Sequence, residues 1–266
     1  MNQIPKISVV TPSYNSESTI LRTVQSVISQ EFGATEYIVI DACSTDSTKE
    51  QIAQYEGKVK FFSEPDHGIF DGMNKGVQLS RGQIIGIINS DDWYLSGSLQ
   101  AVWDTFQNTD CDVVIGGVDV YRNNIKIGSR YHNVKDLESH MLSHPGVFIK
   151  RKVYEEIGGF SLTYRVASDY DFLLRALKKG YKFSVIQRVL SAYSLGGYSD
   201  LPKIRIVSVF ETEIIRNRHG VITKTRAFWN ALSKSAKTIF KRDHKNEMLQ
   251  ELFLQIALFV KLKASL

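Results

Sequence analysis

The stretch QIIGIINSDDWY, residues 83–94, places two adjacent carboxylates, Asp91 and Asp92, directly after an apolar run. The run at 83–89 predicts a buried strand because it is short, continuous and rich in isoleucine. Two neighbouring carboxylates at the end of such a strand repel one another and lose solvation. We therefore expect a cation to belong at this point of the chain.

Strand and helix patterns alternate through the residues that precede this stretch. The other predicted strands are KISVVTPSYN (6–15), EYIVID (36–41) and KVKFFSE (58–64). The intervening segments have helical patterns: SESTILRTVQSVISQ (16–30), STDSTKEQIAQY (44–55) and IFDGMNKGVQLS (69–80). This alternation predicts an α/β fold with a mostly parallel, Rossmann-like central sheet flanked by helices.

Ligands of such sheets bind outside the carboxyl ends of the strands. Several polar residues fall at those ends, and we expect them to meet in one crevice: Thr11 to Asn15, Asp41, Asp66, Asp91 and Asp92. The chain has no G-x-G-x-x-G after its first strand, no G-x-x-x-x-G-K-[ST] and no G-x-S-x-G, which disfavours dinucleotide, P-loop and serine-hydrolase sites. Hard oxygen ligands at a strand end instead favour Mg²⁺ or Mn²⁺ bridging a nucleoside diphosphate.

Beyond residue 97 the pattern is looser. A helix is predicted near 98–107, a strand at DVVIGGVDVY (112–121), and a helix within ASDYDFLLRALKKGYKF (167–183). The chain after about residue 201 is predicted to be helical throughout.

The composition, 43% hydrophobic and 23% charged over 266 residues, is ordinary for a folded protein. Two cysteines are too few for a disulfide framework, and the first residues have no apolar signal core, so we expect a cytoplasmic protein. The net charge of +5 lies in the tail: residues 222–266 hold nine Lys/Arg against three Asp/Glu, and the rest of the chain is near −1. A near-neutral main domain disfavours nucleic acid as a partner.

Five motifs in order resemble those of family 2 glycosyltransferases. They are TPSYN (11–15), IDACSTDST (40–48), EPDHGIFDGMNKG (64–76), NSDDWY (89–94) and ASDYDFLLRA (167–176). The resemblance spans roughly residues 6–199 and is strongest to bacterial exopolysaccharide, O-antigen and colanic-acid-type enzymes. It implies the GT-A fold and an inverting, metal-dependent transfer from a nucleotide sugar, UDP being favoured over GDP, to a glycan or lipid-linked acceptor.

The resemblance also implies a role for each matching residue. Asp92 is similar to the metal ligand of the D-x-D motif, and Asp169 resembles the general base. Donor-binding roles fall to Thr11, Pro12, Tyr14, Asp41, Asp66, Asn74, Lys75 and Asp91. Ser90 at the first position of the D-x-D motif, and Ala42-Cys43 where many members have Asp-Gly, depart from the family pattern. The implied organisation is a nucleotide-sugar-binding half (1–97), an acceptor-binding and catalytic half (98–200), and a basic amphipathic helical tail (201–266).

The chemistry supports these roles independently. Cleavage of an anomeric carbon from a nucleoside diphosphate builds charge on two phosphates, which a divalent cation stabilises. The acceptor hydroxyl needs a base, which typically contributes ~10²–10⁴-fold. Asp171 lies about 200° around the helix from Asp169, so the two carboxylates should face different surroundings.

Plainer interpretations stay open. Asp91 and Asp92 could cap the helix near Ser98, Asp169 could be a helix N-cap, and Asp41 could serve a turn. His144 is as well explained by a structural as by a functional role, and Gly196-Gly197 predicts a tight turn that could close over a donor. Alternative functions are a noncatalytic nucleotide- or glycan-binding module and a sugar-phosphate nucleotidyltransferase.

Two hypotheses cover the tail. Residues 225–242 place Phe228, Ala231, Leu232, Ile239 and Phe240 near one helical stripe, surrounded by Lys234, Lys237, Lys241 and Arg242. The segment ELFLQIALFV (251–260) is too short to span a bilayer. Either the tail lies on an anionic membrane surface, which would place the protein peripherally on the inner face of the cell membrane, or its helices pack on protein.

Overall fold

A computed structural model describes residues 4–240 and 245–261 of the chain. Its strands are β1 Ile7–Ser13, β2 Thr35–Asp41, β3 Lys60–Ser63, β4 Ile84–Ile87, β5 Trp93–Tyr94, β6 Val113–Arg122, β7 Ile125–Arg130, β8 Val147–Lys150 and β9 Phe183–Leu195. Its α-helices are α1 Ile20–Ile28, α2 Thr48–Ala53, α3 Ile69–Leu79, α4 Ser98–Asn108, α5 Arg151–Ile157, α6 Ser168–Lys178, α7 Pro202–Arg218, α8 Lys224–Phe240 and α9 Lys245–Lys261. Short 3₁₀ turns lie at Val134–Glu138, His144–Gly146 and Tyr198–Asp200.

The strands form one nine-stranded sheet in the order β3-β2-β1-β4-β8-β6-β9-β5, and β7 pairs with β6. β1 runs parallel to β2 and β4, and β6 runs parallel to β9. The predicted mostly parallel sheet is therefore confirmed. β8 is an antiparallel strand between β4 and β6, and it joins the two parallel parts of the sheet.

Both faces of the sheet are covered because its central strands alternate between two cores. In β4, Ile85 packs with α3, α5 and α6 side chains on one face, whereas Ile84 packs with α1 and α4 side chains on the other. Such strands are buried on both sides, which is why the isoleucine run at 83–89 is continuous rather than alternating. Because β1 runs parallel to β2 and β4, the carboxyl ends of these three strands lie at the same end of the sheet.

The helices of the tail form a third, smaller core. Its fully buried members come from α7, α8 and α9 and include Phe210, Ala231 and Met248. A buried carboxylate, Glu213 on α7, accepts hydrogen bonds from Arg216 and from Lys234 on α8. This packing supports the hypothesis that the tail helices lie on protein, and it places Lys234 in an ion pair.

Other side chains of the tail point outward. Trp229 is 61% exposed and Phe253 is 68% exposed. The predicted stripe also involves the side chains of Lys237, Ile239 and Phe240 and the residues Lys241 and Arg242, which lie outside what the structure describes. Within residues 4–240 and 245–261, no helix combines the length and the apolar character needed to cross a bilayer.

Candidate active site

The two adjacent carboxylates lie in the turn between β4 and β5. Asp92 is fully buried; its Oδ1 accepts from the Ser194 backbone N–H at 2.9 Å and its Oδ2 from the Asn89 side-chain amide at 3.3 Å. Burial, followed by the charge of Asp91, raises the pKa of Asp92 well above its usual range. Burial also raises the pKa of Asp91. Both carboxylates therefore favour a nearby positive charge.

Arg22 on α1 supplies part of that charge. One of its terminal nitrogens donates to the Asp91 backbone carbonyl at 2.9 Å, and its guanidinium lies 3.6 Å from the centre of the Trp93 ring. Burial lowers the pKa of Arg22, while Asp92 and Asp91 act in the opposite direction. The sequence analysis did not select this residue, because an arginine on an amphipathic helix is ordinarily solvated and gives no local signal.

The capping interpretation of Asp91 and Asp92 is wrong. α4 begins after Gly97, whose φ of 72° a glycine adopts without strain, and the cap has no side-chain hydrogen bond. The two carboxylates precede the helix and contribute nothing to its start. Asp91 and Asp92 therefore play no part in capping α4.

The loops after β1, β2 and β4 are linked to one another. The Ser16 hydroxyl lies 2.7 Å from the Ser90 hydroxyl, and Asn15 connects to Ser44 at 2.8 Å and to Thr45 at 2.9 Å. These contacts hold the β1 loop against the acidic turn on one side and against the β2 loop on the other. The loops at the carboxyl ends of these three strands therefore lie side by side.

The three predicted residues of the β1 loop differ in exposure. Thr11 is buried, with its hydroxyl 3.1 Å from that of Tyr37, and Pro12 is buried beside it. Tyr14 is 61% exposed, so its ring is free to lie against a planar ligand. Thr11 and Pro12 thus shape the wall of the crevice, and Tyr14 is the accessible side chain.

Asp41 is fully buried at the end of β2. Its carboxylate accepts from the Ser44 backbone N–H at 3.0 Å, from the Ser44 hydroxyl, and from the Ser63 hydroxyl at 2.7 Å. The carboxylate therefore ties the β2 loop to β3, in line with the turn interpretation. Its predicted contact with a nucleobase remains a prediction.

Asp66 lies in the segment that leads into α3, and Lys75 lies on α3 itself. Asp66 accepts from the Gly68 backbone N–H at 2.9 Å, and a Cβ at Gly72 would lie 3.2 Å from the other Asp66 oxygen and 3.5 Å from Pro12. Lys75 donates to the Pro65 carbonyl at 2.7 Å and pairs with Glu64 at 3.0 Å. The small residue at 72 thus brings Asp66 close to the β1 loop, and Lys75 fixes the segment from behind.

Asn74 acts as a brace between two parts of the chain. Its side-chain amide donates to the Phe160 carbonyl at 2.9 Å and accepts from the Phe160 N–H at 2.8 Å. The Asn74 amide thus exchanges two hydrogen bonds with the backbone of a single residue, as two paired β-strand residues do. Asn74 holds the loop before α6, which carries the predicted base.

Asp169 lies in the first turn of α6, whose N-cap is Ala167, so it is not the cap residue itself. Its Oδ1 accepts from the Tyr170 backbone N–H at 2.8 Å, and its Oδ2 lies 3.8 Å from Nδ1 of His144. Burial raises the pKa of Asp169 to about 7 and lowers that of His144 to about 4. At neutral pH the pair is therefore a neutral imidazole beside a carboxyl group poised to take up a proton.

Asp171 faces different surroundings, as its position on the helix predicted. It accepts from Nε of Arg175 at 2.8 Å and lies 2.9 Å from Nε2 of His219, the C-cap residue of α7. Although burial opposes ionisation, the hydrogen bonds from His219 and Arg175 leave the pKa of Asp171 below its usual value. Asp171 is thus a structural anion, whereas the pKa of Asp169 is raised.

The glycine pair after β9 lies over the acidic turn. Gly196 has a φ of 107°, and its N–H donates to Asp200 at 2.7 Å. A Cβ at Gly197 would lie 2.5 Å from an Asp91 oxygen. This confirms the predicted tight turn and explains both glycines, the first by its backbone angle and the second by close approach.

The acidic turn fits the divalent cation implied by its family resemblance. It offers hard carboxylate oxygens on two residues whose ionised forms are disfavoured by burial and by each other. Arg22 offsets only one of the two charges. Asp92, with Asp91 beside it, is therefore a suitable donor set.

Comparison with known proteins identifies the family of the chain. The model of the family described as Glycosyl transferase family 2 matches residues 8–172, more than half of the chain. The chain belongs to this family. A PGL/p-HBAD biosynthesis glycosyltransferase of Mycobacterium tuberculosis is 26% identical over 177 residues, which make up 64% of this chain and 69% of the relative. The family 2 chain is thus a glycosyltransferase, and the predicted enzyme class is confirmed.

Solved structures show that this family 2 chain has the GT-A fold. S. aureus TarS 1–349 in complex with UDP-GlcNAc superposes with a TM-score of 0.66 at 19% identity, covering 96% of this chain and 81% of that one. The mannosyltransferase PcManGT from Pyrobaculum calidifontis, in complex with GDP-Man and Mn²⁺, gives a TM-score of 0.62 at 17% identity, covering 97% and 81%. The predicted fold class, including its helical C-terminal part, is confirmed.

Proposed function

We propose that the chain is an inverting, metal-dependent enzyme that moves a sugar from a nucleoside-diphosphate sugar to a hydroxyl of a glycan or lipid-linked acceptor in bacterial surface polysaccharide synthesis. UDP is the favoured nucleotide over GDP. The observation that carries the proposal is the pair of specialised carboxyl sites: Asp91 and Asp92 at the sheet edge, and Asp169 at the start of α6 with a pKa of about 7.

Asp169 would act as the base. A carboxyl group with a pKa near the working pH balances the fraction ionised against the driving force for proton transfer. In the proposed reaction it accepts the proton of the acceptor hydroxyl as that oxygen attacks the anomeric carbon, and the bond to the diphosphate breaks. Nδ1 of His144 lies 3.8 Å from Asp169, and burial keeps this imidazole neutral. His144 therefore adds no positive charge that would lower the pKa of Asp169.

Asp92, with Asp91, would hold Mg²⁺ or Mn²⁺. The ion would neutralise charge that grows on the departing diphosphate. Arg22 would add a second positive charge close to the same turn. The donor-binding residues around it would be Thr11, Pro12, Tyr14, Asp41, Asp66, Asn74 and Lys75; of these, Asn74 acts through the loop that it braces.

Inversion is favoured by the way the carboxylates are used. A single displacement needs one base and no carboxylate nucleophile on the sugar. Beside Asp169, Asp171 is bound to Arg175 and His219 and is unsuited to attack. One basic carboxylate at the acceptor side therefore supports a single displacement.

Similar proteins support the donor class. One structural neighbour holds UDP-GlcNAc and another holds GDP-Man with Mn²⁺. The mycobacterial relative is named for PGL/p-HBAD biosynthesis. These ligands agree with a nucleotide-sugar donor and a divalent cation. Because one neighbour holds a UDP-sugar and the other a GDP-sugar, the nucleotide must be identified by experiment.

A peripheral contact with membrane would suit a lipid-linked acceptor. Trp229 on α8, and Phe253 and Leu254 on α9, are more than half exposed. Lys224 and Arg226 begin the same α8 helix. Exposed aromatic and basic side chains on such helices favour the headgroup region of an anionic bilayer.

The first test is thermal stability with UDP, GDP, CDP or dTDP, each with and without Mn²⁺. A ligand that binds only the folded state raises the melting temperature, and we expect a metal-dependent rise with one nucleotide, UDP foremost. Asp92→Asn should abolish that rise, whereas Asp104→Asn, a change at an exposed acidic residue of α4, should preserve it. Nucleotide binding that persists in Asp92→Asn with EDTA present would contradict the metal assignment.

The second test is turnover with nucleotide sugars that carry the nucleotide identified in the first test. Donor-dependent release of nucleoside diphosphate supports the transferase, and the anomeric configuration of the product by NMR tests inversion. Asp169→Asn should keep nucleotide affinity and lose transfer. Pyrophosphate turnover would indicate the nucleotidyltransferase, and binding without release, even with acceptor glycans present, would indicate the noncatalytic module.

A further inference from the structure

The segment between β7 and β8 carries a cluster of metal-ligating side chains that the proposed reaction does not use. His132, Asp136 and His140 follow one another at intervals of four residues. One ligand atom from each, a ring nitrogen of either histidine and a carboxylate oxygen of Asp136, lies within 4.8 Å of the other two. Among the described residues, these three side chains form a group of histidine and carboxylate ligands that is compact enough to hold one ion.

The backbone of this segment is fixed without a metal. Asn133 and Asp136 form a reciprocal capping box, in which Asp136 accepts from the Asn133 N–H at 2.7 Å through one oxygen. The Tyr170 hydroxyl donates to the Leu137 carbonyl at 2.6 Å, and Arg216 donates to the Glu138 carbonyl. A set of ligands held in this way loses little conformational freedom when it binds an ion.

Contacts with Ser143 fix the orientation of the His132 ring. The Ser143 backbone N–H donates to Nε2 of His132 at 3.1 Å, which orients the ring with its proton on Nδ1. When Nδ1 binds a cation, the ring proton moves to Nε2. The contact from the Ser143 N–H is then lost, and the Ser143 hydroxyl, 3.0 Å from Nε2, accepts that proton instead.

Ligand type indicates which ion would bind. Two imidazoles and one carboxylate favour zinc-like transition metals, whereas Mg²⁺ and Mn²⁺ prefer oxygen ligands such as those at Asp92. The ligands of a tetrahedral zinc ion lie about 3.4 Å apart, so shifts of about 1 Å, within reach of side-chain rotation, would close the present spacing.

We propose that His132, Asp136 and His140 form a second cation site, specific for Zn²⁺ or a similar transition-metal ion and separate from the donor-site cation. The three ligands leave one tetrahedral position for water. The site holds the segment that ends at Ser143, directly before His144 and its contact with Asp169. Bound metal would therefore stiffen the acceptor side of the active site, and the proposal does not depend on the identity of the donor or acceptor.

The test uses the full chain after EDTA treatment and desalting. Zn²⁺ is titrated against a chromophoric chelator with Mg²⁺ in excess, and Co²⁺ is titrated separately to record its visible absorption. We expect one equivalent of Zn²⁺ with a dissociation constant in the micromolar range or below, and Co²⁺ bands typical of four-coordination. The melting temperature should rise with Zn²⁺ and not with an equal concentration of Mg²⁺ alone.

Matched variants decide the location of the ion. His140→Ala and Asp136→Asn should each weaken Zn²⁺ binding by more than about tenfold. His140 is exposed, and asparagine can keep the capping contact, so both variants should fold. His67→Ala, a change at another exposed histidine, and Asp92→Asn should bind Zn²⁺ as the wild type does. Absence of saturable binding, or equal binding in His140→Ala, would overturn the proposal.

Discussion

Replacement of Asp169 by asparagine should remove transfer and at the same time stabilise the fold. The carboxyl group is buried beside the neutral His144, and burial holds its pKa near 7. Asparagine is nearly the same size and keeps an oxygen to accept the Tyr170 N–H. The substitution therefore removes the ionisable group and retains its principal hydrogen bond.

The magnitude follows from the pKa. A pKa of about 7 in the folded chain, against 3.8 for an unperturbed aspartate, means that the folded state binds the proton more tightly than the unfolded state. Ionisation therefore destabilises the fold: the cost is absent below the unfolded pKa, grows as the pH rises, and is complete above pH 7. It amounts to about 2 kcal/mol at pH 5 and up to about 4 kcal/mol at pH 8. Asp169→Asn should gain these amounts in free energy of unfolding.

The assay is urea unfolding of wild type and Asp169→Asn at pH 5, 6, 7 and 8, with nucleotide diphosphate release measured on the same samples. Asp171→Asn is the matched control, because the pKa of Asp171 is lowered and the sign reverses. Its ion pairs stabilise the fold above the unfolded pKa and are lost as the pH falls through the folded one, so this variant should lose about 1–3 kcal/mol at neutral pH. A stability of Asp169→Asn at or below that of the wild type at pH 8 would refute the reasoning.

Three further outcomes follow from the site. The transfer rate should rise about tenfold from pH 6 to pH 8 with a midpoint near 7, because Asp169 must be ionised; initial rates at saturating donor check this, and a flat profile would contradict it. His144→Ala should admit water beside Asp169 and move the midpoint of that profile to lower pH; an unmoved midpoint would mean that His144 does not help to bury the base. Asn74→Ala should lower the free energy of unfolding by about 1–3 kcal/mol, because the buried N–H and carbonyl of Phe160 lose their partners; urea unfolding measures this, and an unchanged midpoint would show that water replaces the brace.

Local patterns predicted the parallel part of the sheet, but they did not predict how its two parts join. The isoleucine run at 83–89 and the apolar run of β1 are each recognisable alone because both faces are buried. β8 is only four residues long and inserts antiparallel between β4 and β6, which depends on pairing across more than sixty residues. The β6–β7 hairpin did have a local signal in the sequence, the pair Asn123-Asn124. Both residues have positive φ, as a tight hairpin turn requires.

Local motifs selected the candidate carboxylates at the end of β4 and at the start of α6. They did not show which partners reach these carboxylates from elsewhere in the chain. Asp92 and Asp169 could be selected from their motifs. Arg22, which contacts the acidic turn, and His144, which lies beside the base, come from other elements, and no local spacing connects them. The use of both ends of the Asn74 amide by Phe160 is likewise a long-range contact.

The pKa of Asp169, the proposed base, depends on the first helix of the predicted tail. The Glu211 carboxylate on α7 accepts backbone N–H bonds from Arg165, Val166 and Ala167 at 2.7–3.0 Å, directly before α6 begins. Its charge acts, after burial, in the direction that raises the pKa of Asp169. Without Glu211, three N–H groups would lack their partner and the base would become more acidic. α7 therefore belongs functionally with the residues that carry Asp169, although the sequence places it beyond the last family motif.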